Sequence, residues 1–219
     1  MRILSLTLLV VASAIAAEGA IAEGTISDLR LGFYGMGSDG TKDTETRNAT
    51  TDALISSSTS SDDLASHGRV SISYVGGKAK PVGLIYGIGL ALDAADYEWD
   101  NGDTQSWTGM IIDFNLGAAV ALGSSFHAEA AGVFGFGSGT VEYDVAGATV
   151  DPADAVVVEW GLRFGVYGTM DKLQVGLEAG WMSTNYVGAE WELTGLNRTY
   201  TEDTEMSGSY VGLTIGARL

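Results

Sequence analysis

Residues 156–167 read VVVEWGLRFGVY, and this stretch decides the fold of the chain. Every even-numbered residue in it is large and apolar, whereas the odd-numbered ones include Glu159, Arg163 and two glycines. Side chains of a β-strand point alternately to opposite faces, so the stretch predicts a strand with one apolar wall and one small, partly charged wall. A soluble sandwich has the opposite arrangement. The pattern therefore indicates a membrane strand whose apolar wall meets lipid and whose other wall lines a narrow lumen.

The same alternation occurs eight times along the chain. The predicted strands are residues 26–36, 70–74, 82–93, 110–122, 126–143, 156–167, 173–181 and 210–219. Long polar segments alternate with short turns between them. Four long segments are interpreted as loops: residues 38–68, residues 94–106, the segment around Pro152, and residues 184–206. An even number of antiparallel strands places both termini and the short turns on one side. The sequence thus predicts an all-β fold, an eight-stranded antiparallel up-and-down transmembrane β-barrel with short periplasmic turns and long extracellular loops.

The N-terminus has the features of a secretory signal peptide. Arg2 supplies the positive charge, residues 3–11 form the apolar region, and a small-x-small cleavage site ends at Ala16 or Ala22. The apolar run is shorter than the roughly 20 residues that a membrane-spanning helix needs. We therefore expect residues 1–22 to be cleaved and residues 23–219 to form one exported barrel domain.

Composition excludes several classes of function. The chain has no cysteine, which rules out disulfides, zinc thiolate sites and a cysteine nucleophile. Its net charge of −17 argues against nucleic acid as a partner, because phosphates require lysine and arginine. The acidic residues concentrate in the predicted loops and are interpreted as solvated surface. A sharper alternative is that they bind divalent cations and approach anionic lipopolysaccharide through bridging ions. No cofactor and no metal site are assigned.

The last predicted strand ends at the end of the chain. Its outward residues are Val211, Leu213, Ile215, Ala217 and Leu219. With this ending and the eightfold alternation, residues 23–219 resemble the family of small eight-stranded outer-membrane β-barrels of Gram-negative bacteria, which includes the OmpA-type transmembrane domain, OmpX and the opacity-like porin family. The resemblance implies an outer-membrane location, contacts with lipid and lipopolysaccharide, a monomer, and recognition of the last strand by the assembly machinery. Leu219 stands where the family usually has a phenylalanine.

Nine ionisable residues fall on the predicted lumen side of the strands. They are Arg30, Asp93, Asp113, His127, Glu129, Glu159, Arg163, Glu178 and Arg218. Charges in a narrow lumen must be paired or hydrated, because a bare buried charge costs several kcal/mol. A turn at Asp171 brings Arg163 opposite or diagonal to Glu178, which predicts a cross-strand pair. That pair is interpreted either as structural or as a gate that re-pairs to let ions through.

Aromatic residues lie near the ends of several predicted strands. Trp107, Tyr143, Trp181 and Tyr186 are on the loop side, and Phe126 is on the turn side. Such positions predict aromatic girdles at the two membrane interfaces. The alternative is that some of these rings pack beneath the loops.

An enzyme that modifies lipid A would need a serine, a histidine and an acidic residue within hydrogen-bond reach. His67 is predicted to be exposed in the first loop, beside Ser66, Asp62 and Asp63, and His127 has no serine on its own face. Neither the PagL nor the PagP arrangement is recognisable, so no catalytic residue is assigned. The sequence favours a noncatalytic outer-membrane barrel with a structural, envelope-integrity or adhesion role. The alternatives are a small porin or channel and, third, a lipid A-modifying enzyme.

Overall fold

The computed structural model describes residues 24–99, 102–145, 148–193 and 197–219. Ten strands lie within these ranges: β1 (Thr25–Asn48), β2 (Leu54–Asp63), β3 (Ser66–Lys78), β4 (Val82–Glu98), β5 (Thr104–Ala121), β6 (Phe126–Val145), β7 (Ala148–Thr149), β8 (Ala153–Met170), β9 (Leu173–Leu193) and β10 (Arg198–Arg218). The predicted signal peptide, residues 1–22, lies outside the described residues. No helix in the described part of the chain is long and apolar enough to cross a membrane.

Eight of the strands form a closed ring. The order is β1, β3, β4, β5, β6, β8, β9 and β10, and β10 pairs with β1 to complete it. Every neighbouring pair is antiparallel. Closure satisfies the backbone polar groups of each strand inside the sheet, which a hydrocarbon environment requires. The predicted eight-stranded antiparallel up-and-down barrel is confirmed.

The strands β2 and β3 follow one another along the same side of β1, with a break between them. β1 pairs with β2 from Asp39, opposite Asp63, and with β3 up to Gly35, opposite Gly68. Between these pairs, residues 36–38 of β1 face residues 64–67, which is one residue more. An extra residue on one strand is a β-bulge, and it bends the strand locally. The remaining strand, β7, pairs only with the end of β6.

Large apolar side chains cover the outside of the lower ring. Leu84 is 74% exposed, Leu116 68%, Leu177 66% and Val211 64%. We call this zone of the outer face the apolar belt. Each such side chain left in water forgoes about 1.5–3 kcal/mol of burial, so a continuous belt of them is expected to face lipid hydrocarbon.

The predicted long loops are mostly strand, which corrects the sequence interpretation. β1 continues to Asn48 and is followed by β2, while β9 continues to Leu193 and β10 begins at Arg198. Shorter extensions replace the other two loops, so that β4 and β6 also run past the belt. A strand needs only about ten residues to cross the hydrocarbon, and β1 has 24. The extensions lack apolar alternation because their outer face meets water. Their backbone ladder continues, with register shifts at Thr46/Arg47 and at Glu202/Thr204.

Two apolar clusters fill parts of the lumen. The upper plug lies at the end away from the chain termini and consists of Ala91, Ala95, Trp107, Ile111, Val141, Ala153, Ala155, Val157, Tyr186, Ala189 and Met206. A smaller cluster lies at the turn end and consists of Ile26, Val75, Ala79, Ile85, Ala119 and Ala131. Buried charged side chains, including Arg69, Asp113 and Glu159, lie between the two clusters.

Candidate functional site: the charged lumen

An ion pair between Arg30 of β1 and Glu129 of β6 spans the lumen, and these strands are four places apart in the eight-membered ring. We call such a side-chain bridge between opposite walls a crossbar, and this one the lower crossbar. Arg30 donates from Nη1 to Glu129 Oε2 at 2.8 Å and from Nη2 to Glu129 Oε1 at 2.6 Å. Glu129 also accepts from Arg163 at 3.2 Å and from His127 Nε2 at 3.0 Å. The Arg30 guanidinium lies 4.0 Å above the centre of the Tyr167 ring. A two-pronged arginine–carboxylate pair holds both strands in a fixed orientation.

The residues around the lower crossbar satisfy two further carboxylates. Asp28 accepts from Arg30 at 3.1 Å, from Gln174 at 2.6 Å and from Arg218 at 3.3 Å. Glu178 accepts from the hydroxyls of Tyr34 at 3.0 Å and Tyr167 at 2.7 Å. These bonds compensate the desolvation of charges that are shielded from water.

The predicted pair of Arg163 with Glu178 is corrected by this arrangement. The two residues do lie diagonally on β8 and β9, because Gly165 is opposite Glu178. However, Gly165 is also opposite Glu129 on the other neighbouring strand, so Arg163 has a second diagonal carboxylate. Arg163 donates to that one, whereas Glu178 is held by tyrosines.

A middle crossbar joins β3 to β8, which again are four strands apart. Arg69 donates to both oxygens of Glu159, with Nη2 2.9 Å from Oε1, and also to Asp113 of β5. Arg69 was not among the predicted lumen residues. The signal was present, since Arg69 occupies an odd position next to the outward Val70, but the predicted strand began too late to include it.

His67 lies inside the lumen and not in an exposed loop, which corrects its predicted position. Its Nδ1 is 2.8 Å from Ser38 Oγ, and its Nε2 is 3.1 Å from Asp93 Oδ2. The carboxylate can only accept, so Nε2 donates to Asp93, and Nδ1 forms the hydrogen bond with the Ser38 hydroxyl. All three side chains are buried. They join β1, β3 and β4 across the bulge that follows β2. Ser66, which precedes His67 in the sequence, does not bond to it and donates to Asp96.

An upper crossbar closes the extension between β5 and β10, a third pair four strands apart. Gln105 donates to Glu202 at 2.6 Å and accepts from Lys42 at 3.1 Å. The hydroxyl of Tyr143 donates to the other oxygen of Glu202 at 2.7 Å. Burial and the Glu202 charge raise the pKa of Tyr143 far above its usual range, so its hydroxyl remains a donor.

The predicted aromatic girdles are only partly present. Phe126 is exposed at the turn end, and Trp181 lies half-buried on the outer face with its ring centre 4.7 Å from that of Trp160. Trp107 and Tyr186 instead belong to the upper plug, and Tyr143 belongs to the upper crossbar. The alternative that some rings pack inside applies to these three.

The end of β10 mostly follows the predicted alternation. Val211, Leu213 and Ile215 are exposed on the outer face. Ala217 lies on the same face, directly opposite Leu29 and the exposed Leu173, although its small side chain is buried. The Leu219 N–H donates to the carbonyl of Ser27 at 2.7 Å. Recognition of this strand by assembly machinery stays a prediction.

A cavity of about 40 Å³ lies between the lower and middle crossbars. Its walls include Arg69, Asp113, Asn115, Arg163 and Glu178. It has room for about three water molecules, given 10–15 Å³ for each. Among the described residues, no three histidine, aspartate or glutamate side chains are grouped closely enough to hold a metal ion.

Comparisons with solved structures give matches of low sequence identity. No family model matches the sequence, and no curated protein matches it. The outer-membrane protease OmpT of Escherichia coli is 8% identical with a TM-score of 0.46, over 91% of this chain and 99% of OmpT. Neisserial surface protein A is 9% identical with a TM-score of 0.37, over 84% of this chain and 96% of its own. The attachment invasion locus protein Ail of Yersinia pestis is 10% identical with a TM-score of 0.29, over 82% of this chain and 98% of Ail. The likeness concerns the fold alone.

Proposed function

We propose that this chain is a noncatalytic outer-membrane barrel with a structural or adhesion role, and that the role is performed by the surface outside the membrane. The observation that carries the proposal is the closed lumen. Three crossbars and the upper plug occupy it at successive heights. An eight-stranded barrel is just wide enough for its own side chains, so these groups leave little room for a solute.

The outer-membrane location rests on three features. The apolar belt covers the lower ring, the closed ring leaves no strand edge within it, and the N-terminus has the composition of an export signal. Lipid would contact the belt, and the assembly machinery would recognise β10. A monomer is proposed because the ring closes within one chain.

The surface above the belt is strongly acidic. Its exposed carboxylates are Asp39, Asp43, Glu45, Asp52, Asp63, Asp96, Glu98, Glu142, Asp144, Asp151, Asp154, Glu190, Glu192, Asp203 and Glu205. Among the described residues, the only basic ones on this outer surface are Arg47 and Arg198, at the hairpin tips. Such a surface favours cationic partners, and divalent cations would let it approach anionic lipopolysaccharide.

Planar-bilayer recording of refolded protein tests the proposal. We expect no discrete conductance steps from the natural chain, because opening a path requires buried ion pairs to separate. The matched variant Glu129→Gln keeps the side-chain size but removes the charge from the lower crossbar. Reproducible steps of one size from the natural chain would contradict the proposal and favour the channel.

The cavity between the lower and middle crossbars is the observation that favours a channel as the second candidate. Its polar walls can hold water midway through the lumen. A channel would require the Arg30–Glu129 and Arg69–Glu159 pairs to re-pair together. Conductance that rises in Glu129→Gln but is absent in the natural chain would fit the closed barrel and not a physiological channel.

The Ser38, His67 and Asp93 group has the residue types of a hydrolase, which keeps an enzymatic role as a third possibility to test. Its burial beside Ala95 of the upper plug argues against access by a lipid substrate. We expect expression of the chain to leave the mass of lipid A unchanged. A mass change that disappears in Ser38→Ala and His67→Ala would overturn the noncatalytic assignment.

A further inference from the structure

β2 is an edge strand that extends outside the membrane. Within the part of the chain that the structure describes, it is the last strand of the sheet and pairs only with β1, since the closed ring continues through β3 below it. Leu54–Asp63 spans ten residues, and the residues of β2 whose side chains are described are all exposed. An exposed edge presents a row of backbone donors and acceptors to any extended chain. We call the side of β2 that faces away from β1 the free edge.

The backbone pairing identifies the groups on the free edge. The Leu64 N–H donates to the Ser38 carbonyl, and the Asn48 N–H donates to the Ala53 carbonyl. Both bonds show that the backbone groups of the even-numbered residues of β1 point towards β2 and form its hydrogen-bonded pairs. Because such pairs alternate in an antiparallel ladder, the groups of Ser57, Thr59 and Ser61 point the other way.

The middle of β2, residues 56–61, carries none of the usual protection of an edge strand. Natural edges are commonly blunted by lysine, proline or a bulge within the strand. Residues 56–61 are five serines and one threonine, and β2 has no lysine, arginine or proline. The only irregularity within its pairing is a register shift at the tip, opposite Thr46 and Arg47.

The outer face beside this edge has like charges directly opposite one another. Asp39 of β1 is opposite Asp63 of β2, and Asp43 is opposite Asp203 of β10. All four are exposed. Like charges at directly opposed positions destabilise a sheet, so a cation placed above them would be stabilised by both. Two of these carboxylates also accept from neutral donors, Asp43 from the Thr59 hydroxyl at 2.5 Å and Asp203 from the Gly188 N–H at 2.7 Å. Glu45 differs, because the cationic Arg47 pairs with it at 3.0 Å.

Short side chains leave a path from the free edge to these carboxylates. Thr59 lies opposite Asp43 and Ser57 opposite Glu45, so both share the outer face of the acidic row. A strand added to the edge would lie about 10 Å from β1, which is two strand spacings. A lysine or arginine on its outer face can lie across serine or threonine and reach Asp43, whereas a large residue on β2 would obstruct it.

We propose that the free edge of β2 binds an extended basic segment of a partner protein by β-strand addition. Backbone hydrogen bonds to Ser57, Thr59 and Ser61 would supply the pairing, and the acidic row would select lysine and arginine at alternate positions. This deepens the proposed adhesion role by naming the class of partner. A second copy of the chain is disfavoured as the occupant, because the net charge of −17 makes copies repel.

The test uses the full chain refolded in lipid nanodiscs and a fluorescent peptide of alternating lysine and threonine as long as β2. Binding is measured by anisotropy, and amide exchange of β2 by NMR. The variant Ser57→Pro/Ser61→Pro removes two free-edge donors without removing a bond to β1, whereas Ser57→Ala/Ser61→Ala removes only the hydroxyls. We expect the alanine variant to bind like the natural chain. The proline variant should bind about tenfold more weakly, as loss of two backbone hydrogen bonds implies.

Exchange and charge controls complete the design. The peptide should slow amide exchange at Ser57, Thr59 and Ser61, and an alternating glutamate and threonine peptide should not bind. Equal binding to both double variants, or no binding at all, would overturn the proposal. Protection of the same amides that rises with protein concentration and needs no peptide would assign the edge to a second copy instead. None of these outcomes depends on the conductance result, so the two proposals fail separately.

Discussion

The outer face of the membrane-embedded part of the barrel and the outer face of its extension have opposite polarity. Below, the outer face is apolar, as at Leu84 and Leu177, while the lumen holds the Arg30–Glu129 crossbar. Above, the outer face is acidic, while the lumen holds the apolar plug around Trp107. The same strands continue through both parts. The comparison shows that the outer face follows its solvent, lipid or water, whereas the lumen combines apolar clusters with polar crossbars in both parts.

Removing the charge that the lower crossbar depends on should have the largest effect. Glu129→Ala leaves Arg30 and Arg163 without their shared carboxylate, and breaking a buried pair from one side costs about 3–5 kcal/mol. The free energy of unfolding in urea, with the protein in lipid vesicles, measures this loss. A loss below about 1 kcal/mol would mean that water replaces Glu129 and that the lower lumen is hydrated.

Placing a charge on the apolar belt should have the next largest effect. Phe114→Arg, on the lipid face of β5, is expected to cost about 2–4 kcal/mol. The control Glu142→Arg puts the same side chain on the acidic outer face and should stay within about 0.5 kcal/mol of the natural chain. Equal effects of the two substitutions on unfolding would remove the difference between the two regions.

Weakening the upper crossbar should cost less, because the side chain that is removed is a neutral amide and not a buried charge. Gln105→Leu removes a neutral donor to Glu202 and is expected to cost about 1–3 kcal/mol. Circular dichroism during urea unfolding provides the value. The lower crossbar should be unaffected, so the substitution should add to Glu129→Ala without coupling. A coupling above about 0.5 kcal/mol in the double variant would show that the two crossbars are linked.

The smallest expected effect is a pH dependence above the range of ordinary tyrosines. Because the pKa of Tyr143 is raised on folding, the folded chain holds this proton longer than the unfolded chain. The resulting stability is complete below about pH 10 and falls as pH rises further, by at most about 1.4 kcal/mol per pH unit. In Tyr143→Phe the free energy of unfolding should fall less steeply between pH 10 and 12. An unchanged slope would show that Tyr143 ionises normally.

The alternation of apolar and small residues was enough to predict the eight-stranded ring, which face of each strand points into the lumen, and most of the ionisable residues that line it. The same alternation places Trp107, Tyr143 and Tyr186 on the lumen side, so their assignment to the girdles ignored available information. Arg69 is absent from the predicted lumen residues for a related reason. The predicted strand begins at Val70, one residue after Arg69, whereas β3 begins at Ser66. The parity of a residue is therefore a stronger signal than its distance from a strand end.

Two features could not be obtained from alternation. The extensions carry polar residues outside and have no apolar rhythm, so only the backbone pairing of β1 with β2 and β10 defines them. The crossbars join strands four places apart in the ring, whereas a cross-strand pattern reveals contacts between neighbours. Arg163 shows the consequence, since its choice between Glu129 and Glu178 depends on side chains that reach in from the opposite wall.

Site-directed spin labelling along β10 tests the change of polarity most directly, because the chain has no cysteine of its own. Single cysteines at Val211, Leu213 and Ile215 should place labels where oxygen dissolved in lipid reaches them. Labels at Asp203 and Glu205 should meet the water-soluble nickel reagent, and a label at Met206 should meet neither. Water access that is uniform from Asp203 to Ile215, in protein reconstituted in bilayers, would contradict a barrel that changes polarity at the membrane surface.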